Sequence, residues 1–285
     1  NFAASIDDHE MKITHVFRGE EHLSNTPKQI LINEALGLSQ PHYAHLPLIL
    51  GPDKKKLSKR FLDKSLMDFR SDGYLREALL NFLVLLGWHP VHDREVLSMG
   101  EMTAEFDIKR VQKAGAIFNP EKLDWLNSYY IRKMGMGEFL EYLRLYLPES
   151  WQKDKPFLER VISIEKDRMK KLSDFKKLAG FFFELPDYPK EQLLWKEAAP
   201  AVIAENLAKV STVLEKIPAE NFDRAVFEKA VMALAEERGR GEVLWPLRVA
   251  LSGLEASPGP IDLVDILGRK ETLRRVAIGE KKLKQ

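Results

Sequence analysis

A cationic loop near residue 50 carries the side chains best suited to chemistry. The apolar run 46–50 predicts a buried strand, and this strand ends at Gly51-Pro52. Only one acid, Asp53, offsets the cations that follow, which are Lys54, Lys55, Lys56, Lys59 and Arg60. Ammonium groups, together with backbone amides and the Ser58 hydroxyl, suit the binding of phosphate oxygens. The loop therefore indicates a nucleotide site, and a solvated basic turn is the alternative.

The spacing inside this loop distinguishes it from one common phosphate-binding motif. A P-loop places a glycine immediately before its Lys-Ser/Thr pair, whereas Leu57 separates Lys56 from Ser58 here. The order Lys-Leu-Ser-Lys-Arg over residues 56–60 instead resembles the Lys-Met-Ser-Lys-Ser signature of class I aminoacyl-tRNA synthetases. That resemblance favours ATP chemistry in which phosphate charge is stabilised by positioned cations.

A strand, a helix and a second strand are predicted to position this loop. The first eight residues are expected to enter a strand-like run, and alternation over 12–18 predicts a strand that delivers Arg18-Gly-Glu-Glu-His22 to its carboxyl end. Ser24 and Thr26 are N-cap candidates for a helix over 27–36 that stops at Gly37. A strand over 44–50 then returns to the cationic loop. Ligands of open α/β sheets bind at this carboxyl edge.

Composition narrows the class of protein. A chain of 285 residues with 45% hydrophobic and 31% charged residues is typical of a globular protein with two or three cores. Because it has no cysteine, disulfides, thiolate zinc sites and a cysteine nucleophile are excluded. A net charge of +1 means that an RNA partner must be held by local basic faces. No membrane-length apolar run or secretory signal is evident, which predicts a cytoplasmic location without membrane binding.

Longer segments extend the resemblance to a single family. Residues 15–29, His45-Leu-Pro-Leu48 and the cationic loop resemble the second half of the catalytic domain of bacterial glutamyl-tRNA synthetases. Segments 73–88, 118–127 and 246–253 are also similar to that family, so the resemblance covers essentially the whole chain. One departure is the sequence 61–65, where the family often has His-Gly or Thr-Gly and a Thr-Ser pair. The family's His-Ile-Gly-His signature is absent, so the chain is expected to be the carboxyl-terminal portion, inactive by itself.

The predicted fold is mostly α. It comprises a remnant of a parallel α/β, Rossmann-like nucleotide-binding unit, a helical stem-contact domain and an all-helical anticodon-binding region. From Gly135 onwards, apolar and charged residues alternate with a helical period, and prolines near 186–189 interrupt this pattern. The predicted segments are 1–70, 71–134, 135–188 and 189–285. Ser98 and Glu101 have capping-box spacing, and Asn119-Pro120 predicts a cap and first turn. The basic segment 269–285 is either a solvated terminal helix or an RNA-binding face.

The resemblance also implies roles for individual residues. Those near the reacting phosphates are Lys56, Ser58, Lys59 and Arg60, and those bordering ATP are Glu21, His22, Leu48, Ile49, Leu57 and Lys59. Arg18 is implied to bind a glutamate carboxylate, because its planar fork matches a carboxylate bidentately, whereas a salt bridge with Glu20 or Glu21 is the alternative.

Arg168 falls at the position where family members that charge only tRNA(Glu) tend to carry arginine. Glutamate anticodons end in C and glutamine anticodons end in G, and an arginine can donate to the pyrimidine carbonyl. The alternative is an exposed arginine among Lys166, Lys170 and Lys171 that neutralises backbone phosphates.

The predicted function is that of a glutamate-tRNA ligase, with ATP and Mg2+, L-glutamate and tRNA(Glu) as partners, no zinc site in this chain, and a monomeric state. A tRNA-binding module without catalysis of its own is the alternative from a different class. A glutamyl-queuosine-type enzyme shares the catalytic motifs but lacks an anticodon domain, so the helical half after Gly135 disfavours it.

Overall fold

The computed structural model describes residues 1–51, 53–55 and 64–284. The chain divides into two compact units, Asn1–Tyr130 and Ile131–Gln285. Most of the described residues are helical, and the strands form two small parallel pairs. The predicted fold class, mostly α with a small parallel α/β remnant, is confirmed, whereas the division into four segments stays a prediction.

The first unit contains the predicted strand, helix and strand. Strand β1 (His15–Gly19) pairs in parallel with β2 (His42–Leu46), and helix α2 (Thr26–Leu36) connects them. The register places Arg18 opposite His45. Gly37 ends α2 in the left-handed region at φ 66°, as the stop signal predicts. The expected strand-like start is wrong, because helix α1 occupies Phe2–Glu10.

The predicted second strand is divided in two. Strand β2 ends at Leu46, and β3 (Ile49–Leu50) pairs in parallel with β4 (Ala116–Ile117) instead of continuing beside β1. Pro47 lies between the two strands and has no N–H for a ladder. The expectation that the run 46–50 is buried is also wrong, since Leu46 and Ile49 are each 40% exposed.

Helices complete the first unit. They are α3 (Leu66–Ser71), α4 (Arg76–Gly87), α5 (Met99–Glu105) and most of α6 (Pro120–Lys133), whose last three residues belong to the second unit; short 3-10 helices lie at Glu20–His22 and Ile108–Arg110. The capping box predicted at Ser98 and Glu101 is present, and it lowers the Glu101 pKa to about 2. Asn119 Oδ1 accepts from the amides at the start of α6, as predicted. Phe82 and Phe118 pack edge to face in the core of this unit.

All regular secondary structure described in the second unit is helical. Its helices are α7 (Met136–Leu143), α8 (Lys155–Glu165), α9 (Asp174–Phe183), α10 (Pro200–Glu215), α11 (Arg224–Arg238), α12 (Arg240–Ser252) and α13 (Pro260–Lys284). Short 3-10 helices occupy Arg144–Tyr146, Glu149–Gln152, Lys166–Arg168, Lys190–Leu193 and Ala219–Asn221. Helix α13 is interrupted at Gly268, whose φ is 72°.

Helix α12 contains a proline at its centre. Pro246 has no N–H, so the carbonyl of Glu242 four residues earlier loses its helical donor. The side chain of Asn206, buried in α10, replaces that donor through a 3.1 Å bond from Nδ2 to the Glu242 carbonyl. A neighbouring helix therefore permits a proline that would otherwise break α12.

The basic carboxyl-terminal segment includes one arginine that neither alternative for that segment describes. Arg275 is 1% exposed and donates to the carbonyls of Phe181, Phe182 and Leu251 as well as to Glu271. Its neighbour Arg274 is exposed and pairs with Glu271, whose pKa falls to about 2. Arg275 is therefore a buried structural residue, neither solvated nor available to RNA.

Candidate functional site

Arg18 lies at the carboxyl end of β1, within a small polar cluster. Its Nη2 donates to Thr26 Oγ1 at 2.6 Å, and its guanidinium carbon lies 5.1 Å from the centre of the Tyr43 ring. Thr26 Oγ1 is also 2.8 Å from His45 Nε2. Strands β1 and β2 and the first residue of α2 thus hold the guanidinium from three directions. Thr26 serves this cluster rather than capping α2 with its side chain, and Asn25 takes the N-cap position.

The charge of Arg18 is not neutralised by a described acid. Among residues 1–51, 53–55 and 64–284, no carboxylate forms an ion pair with it, and Nε is buried without a hydrogen-bond partner. Neither Glu20 nor Glu21 forms the alternative salt bridge. Burial raises the pKa of Tyr43, an effect that Arg18 partly opposes. A fixed guanidinium with spare donors is suited to an anionic ligand.

The turn Glu20–His22 lies beside the break between β2 and β3. Glu20 Oε1 accepts from the Leu48 amide at 3.2 Å, which joins the two segments. A β-carbon at Gly19 would overlap the Glu21 carboxylate, so glycine lets this carboxylate fold back over the backbone. His22 Nδ1 lies 3.2 Å from Asn25 Nδ2. The structure therefore brings the segment with Glu21 and His22 to the segment with Leu48 and Ile49.

The central part of the cationic loop lies outside the described residues. This applies to Lys56, Leu57, Ser58, Lys59 and Arg60. The described entrance is a tight turn in which the Lys54 amide donates to the Gly51 carbonyl and the Gly51 amide to the Lys55 carbonyl. Asp53 Oδ1 accepts from the Lys55 amide at 3.1 Å, so the single acid of the loop stabilises its first turn.

Arg168 lies in the second unit, on the short turn Lys166–Arg168 that follows α8. Its Nη1 donates to Glu165 Oε2 at 2.7 Å. The Arg168 side chain is 33% exposed, whereas the Glu165 side chain is fully buried. The structure therefore places Arg168 at the surface, as both alternatives require, and adds a buried acidic partner that the sequence did not predict.

A further cationic and aromatic group in the second unit was missed from the sequence. The rings of Trp195 and Trp245 lie 5.4 Å apart, and the Arg248 guanidinium carbon lies 4.5 Å from the centre of Trp245. The Arg248 side chain also donates to the Glu255 carbonyl. The i, i+3 spacing of Trp245 and Arg248 could have revealed part of this group, although a proline inside the same segment disfavours a helix. Half-buried aromatic rings with an arginine are suited to stacking on nucleic-acid bases.

None of the helices within residues 1–51, 53–55 and 64–284 is both long and apolar enough to cross a membrane. Within the same ranges, no cluster of three or more His, Asp or Glu side chains is arranged to hold a metal ion.

Family models match both units of the chain. A model described as "tRNA synthetases class I (E and Q), catalytic domain" matches residues 1–125, and one described as "Anticodon binding domain" matches residues 138–279.

Curated relatives align along the whole chain. The "Glutamate--tRNA ligase" of Clostridium acetobutylicum is 39% identical over 290 residues, covering 100% of this chain and 59% of that protein. "Glutamate--tRNA ligase 2" of Thermoanaerobacter pseudethanolicus is 37% identical over 285 residues, covering 97% and 58%. The chain thus spans about three-fifths of the length of these relatives.

Solved structures extend the similarity to the fold. A glutamate tRNA ligase from Elizabethkingia meningosepticum, in complex with its amino acid, matches with a TM-score of 0.85 and 34% identity over 99% of this chain and 60% of that one. The glutamate-tRNA synthetase of Elizabethkingia anophelis matches with a TM-score of 0.80 and 34% identity, over 98% and 59%.

Proposed function

We propose that this chain, which belongs to the class I tRNA synthetase family for glutamate and glutamine, supplies the carboxyl-terminal part of a glutamate-tRNA ligase. The observation that carries the proposal is the order of the two matches. A catalytic-domain segment and an anticodon-binding segment follow each other along one chain that aligns with glutamate ligases over its full length. A glutamyl-queuosine-type enzyme would lack the second segment.

The reaction proposed is activation of glutamate by ATP and its transfer to the 3' end of tRNA(Glu). A glutamate carboxylate attacks the α-phosphate, pyrophosphate leaves, and negative charge develops on the phosphates. Lys56, Ser58, Lys59 and Arg60 are proposed to stabilise that charge. Mg2+ would accompany ATP and be held largely by the phosphates.

Arg18 is proposed to bind a carboxylate of glutamate. Support comes from its geometry, since Thr26 and Tyr43 fix the guanidinium while no described acid competes for it. The neighbouring edge, with Glu21, His22, Leu48 and Ile49, is proposed to border ATP, and Leu57, which lies outside the described residues, is proposed to contribute to the same site. The Leu48 amide is already occupied by Glu20, so apolar contact is what Leu48 offers to the nucleotide.

The second unit is proposed to bind the anticodon arm of tRNA(Glu). Support comes from the exposed side of Arg168 and from the group formed by Trp195, Trp245 and Arg248. Arg168 is proposed to read the last anticodon base, which is C in glutamate tRNAs and G in glutamine tRNAs. A single good base contact of this kind discriminates by about 1–3 kcal/mol.

The test is aminoacylation by the complete polypeptide that contains this chain. We expect it to charge tRNA(Glu) with glutamate and to catalyse glutamate-dependent pyrophosphate exchange, while the 285-residue chain binds tRNA(Glu) but performs no exchange. We expect no exchange because the chain spans only about three-fifths of the length of the ligases that it matches. Absence of charging by the complete polypeptide, with tRNA binding intact, would favour the non-catalytic binding module. Exchange by the 285-residue chain would contradict the predicted inactivity of the fragment.

A further inference from the structure

Hydrogen bonds and buried side chains on both sides of Arg168 hold the turn that carries it. Lys166 Nζ donates to the carbonyls of Arg132 and Met134 at the end of α6 and just after it. Beyond Arg168, the side chains of Met169 and Leu172 are each 1% exposed. Asp174 Oδ2 accepts from the amides of residues 170 and 171, at 3.0 and 2.8 Å. The backbone under Arg168 is therefore fixed, and the orientation of its guanidinium depends on side-chain contacts.

Glu165 supplies the side-chain contact. Its side chain is fully buried at the end of α8, and Oε2 accepts from Arg168 Nη1 at 2.7 Å. The other oxygen, Oε1, is also buried and has no hydrogen-bond partner among the described residues. Burying a carboxylate is costly unless it is well paired, so a half-satisfied one at this position calls for a functional explanation.

We propose that Glu165 is a positioning residue, which orients the Arg168 guanidinium towards the last anticodon base without touching the RNA itself. The inference rests on the proposed function, because it deepens the role given there to Arg168. A guanidinium held through one nitrogen keeps its remaining N–H donors in a fixed direction. Discrimination between C and G requires such a direction, whereas simple neutralisation of a backbone phosphate does not.

The protonation of Glu165 offers a readout that a purely structural role would not move. Burial raises its pKa to about 7, although Arg168 opposes this. Three charged groups on neighbouring elements have partners of their own: Lys166 donates to two carbonyls, Asp174 accepts from loop amides, and Arg160 donates to the Asp265 carbonyl. Protonation would replace the ion pair with a weaker hydrogen bond between the guanidinium and an uncharged carboxyl group. Orientation of Arg168 should therefore loosen as pH falls through about 7.

The experiment measures binding of two RNA hairpins to the 285-residue chain by fluorescence anisotropy. One hairpin carries a glutamate anticodon ending in C, and the other differs only in ending in G. For the parent chain we expect a preference for C of about 10-fold at a pH about one unit above 7, shrinking one unit below it. For Glu165→Gln, we expect the preference for C at both pH values to be as small as that of the parent chain at the lower pH, because the amide cannot ionise.

Three control variants and a measurement of thermal unfolding separate the possible outcomes. Arg168→Gln should abolish the preference, and Glu141→Gln should leave it unchanged, since Glu141 and Arg144 form an exposed ion pair with the same i, i+3 spacing. Thermal unfolding of each variant shows whether the fold is retained, and Glu165→Asp, which keeps the charge but shortens its reach, should also lose preference.

If Arg168→Gln loses the preference while Glu165→Gln keeps it with the parent's pH profile, the positioning role is overturned and the proposed function stands. If the parent binds both hairpins equally, the reading role of Arg168 fails and the positioning role fails with it.

Discussion

Arg18 and Arg275 show how the partners of an arginine separate a binding role from a structural one. Arg275 is fully buried and donates to three carbonyls and one carboxylate. Arg18 donates to a single hydroxyl and has no described acidic partner. Spare donors favour a ligand, whereas saturated donors favour the fold. Each arginine has a glutamate within four residues in the sequence, Glu20 for Arg18 and Glu271 for Arg275, so the difference between them is set by tertiary contacts.

Replacing Arg275 should strongly destabilise the second unit. Arg275→Met leaves three buried carbonyls without a donor, and we expect the free energy of unfolding to fall by about 3–5 kcal/mol. Arg274→Met is the matched control, because Arg274 is exposed and pairs with the same Glu271. Its loss should stay within about 1 kcal/mol. Urea unfolding of the 285-residue chain makes the comparison, and equal losses for the two variants would contradict the structural role.

Replacing Arg18 should weaken glutamate binding more than ATP binding. Lysine at this position keeps the charge but cannot hold Thr26 and a carboxylate bidentately together. In the complete polypeptide, we expect Arg18→Lys to raise the KM for glutamate in pyrophosphate exchange by about 10- to 100-fold, which corresponds to about 1.4–2.7 kcal/mol. The KM for ATP should change little. A selective rise in the KM for ATP would place Arg18 in the nucleotide site instead.

Local sequence signals predicted several helix ends correctly. They did not predict features of helices and strands that depend on contacts with residues distant in the sequence. The Ser98 capping box and the Asn119 cap are formed within a few residues, so the sequence reveals them. The split between β2 and β3 depends on pairing with β4, which lies about 65 residues away. Pro246 is tolerated inside α12 because Asn206, which compensates for it, comes from another helix. Glu165 is only three residues from Arg168 in the sequence, but its burial depends on tertiary packing and was not predicted.

The compensation of Pro246 by Asn206 can be tested with a double-mutant cycle. Asn206→Ala removes the donor to the Glu242 carbonyl, and the acceptor for Arg238 Nε, which lies 3.0 Å away. We expect a loss of about 1–3 kcal/mol in the free energy of unfolding. In a Pro246→Ala background, the new backbone N–H can serve the Glu242 carbonyl, so the same substitution should cost less. Identical costs in both backgrounds would show that Asn206 acts only through Arg238.

The positive and negative charges of the whole chain nearly balance, so the positions of the charged groups matter more than their sum. The net charge of +1 comes from 44 basic and 43 acidic residues. Many of these form exposed pairs such as Glu141 with Arg144, which contribute little to stability. Shifted carboxylates matter more for pH dependence. Glu101 and Glu271 have pKa values of about 2, so both remain ionised from mildly acidic pH upwards.

Glu165 should make the free energy of unfolding of the chain fall as pH rises through neutrality. Its folded pKa of about 7 lies above the unfolded value of 4.5, so its stabilising contribution is complete below 4.5 and is lost as pH rises through about 7. One such group changes the free energy of unfolding by at most about 1.4 kcal/mol per pH unit. We expect the parent to lose stability relative to Glu165→Gln over this window, in urea unfolding series at several pH values. If the difference in the free energy of unfolding between the two chains does not vary with pH, the Glu165 carboxylate is already ionised over the whole window. The expected weakening of the Arg168 contact near neutral pH would then lose its physical basis.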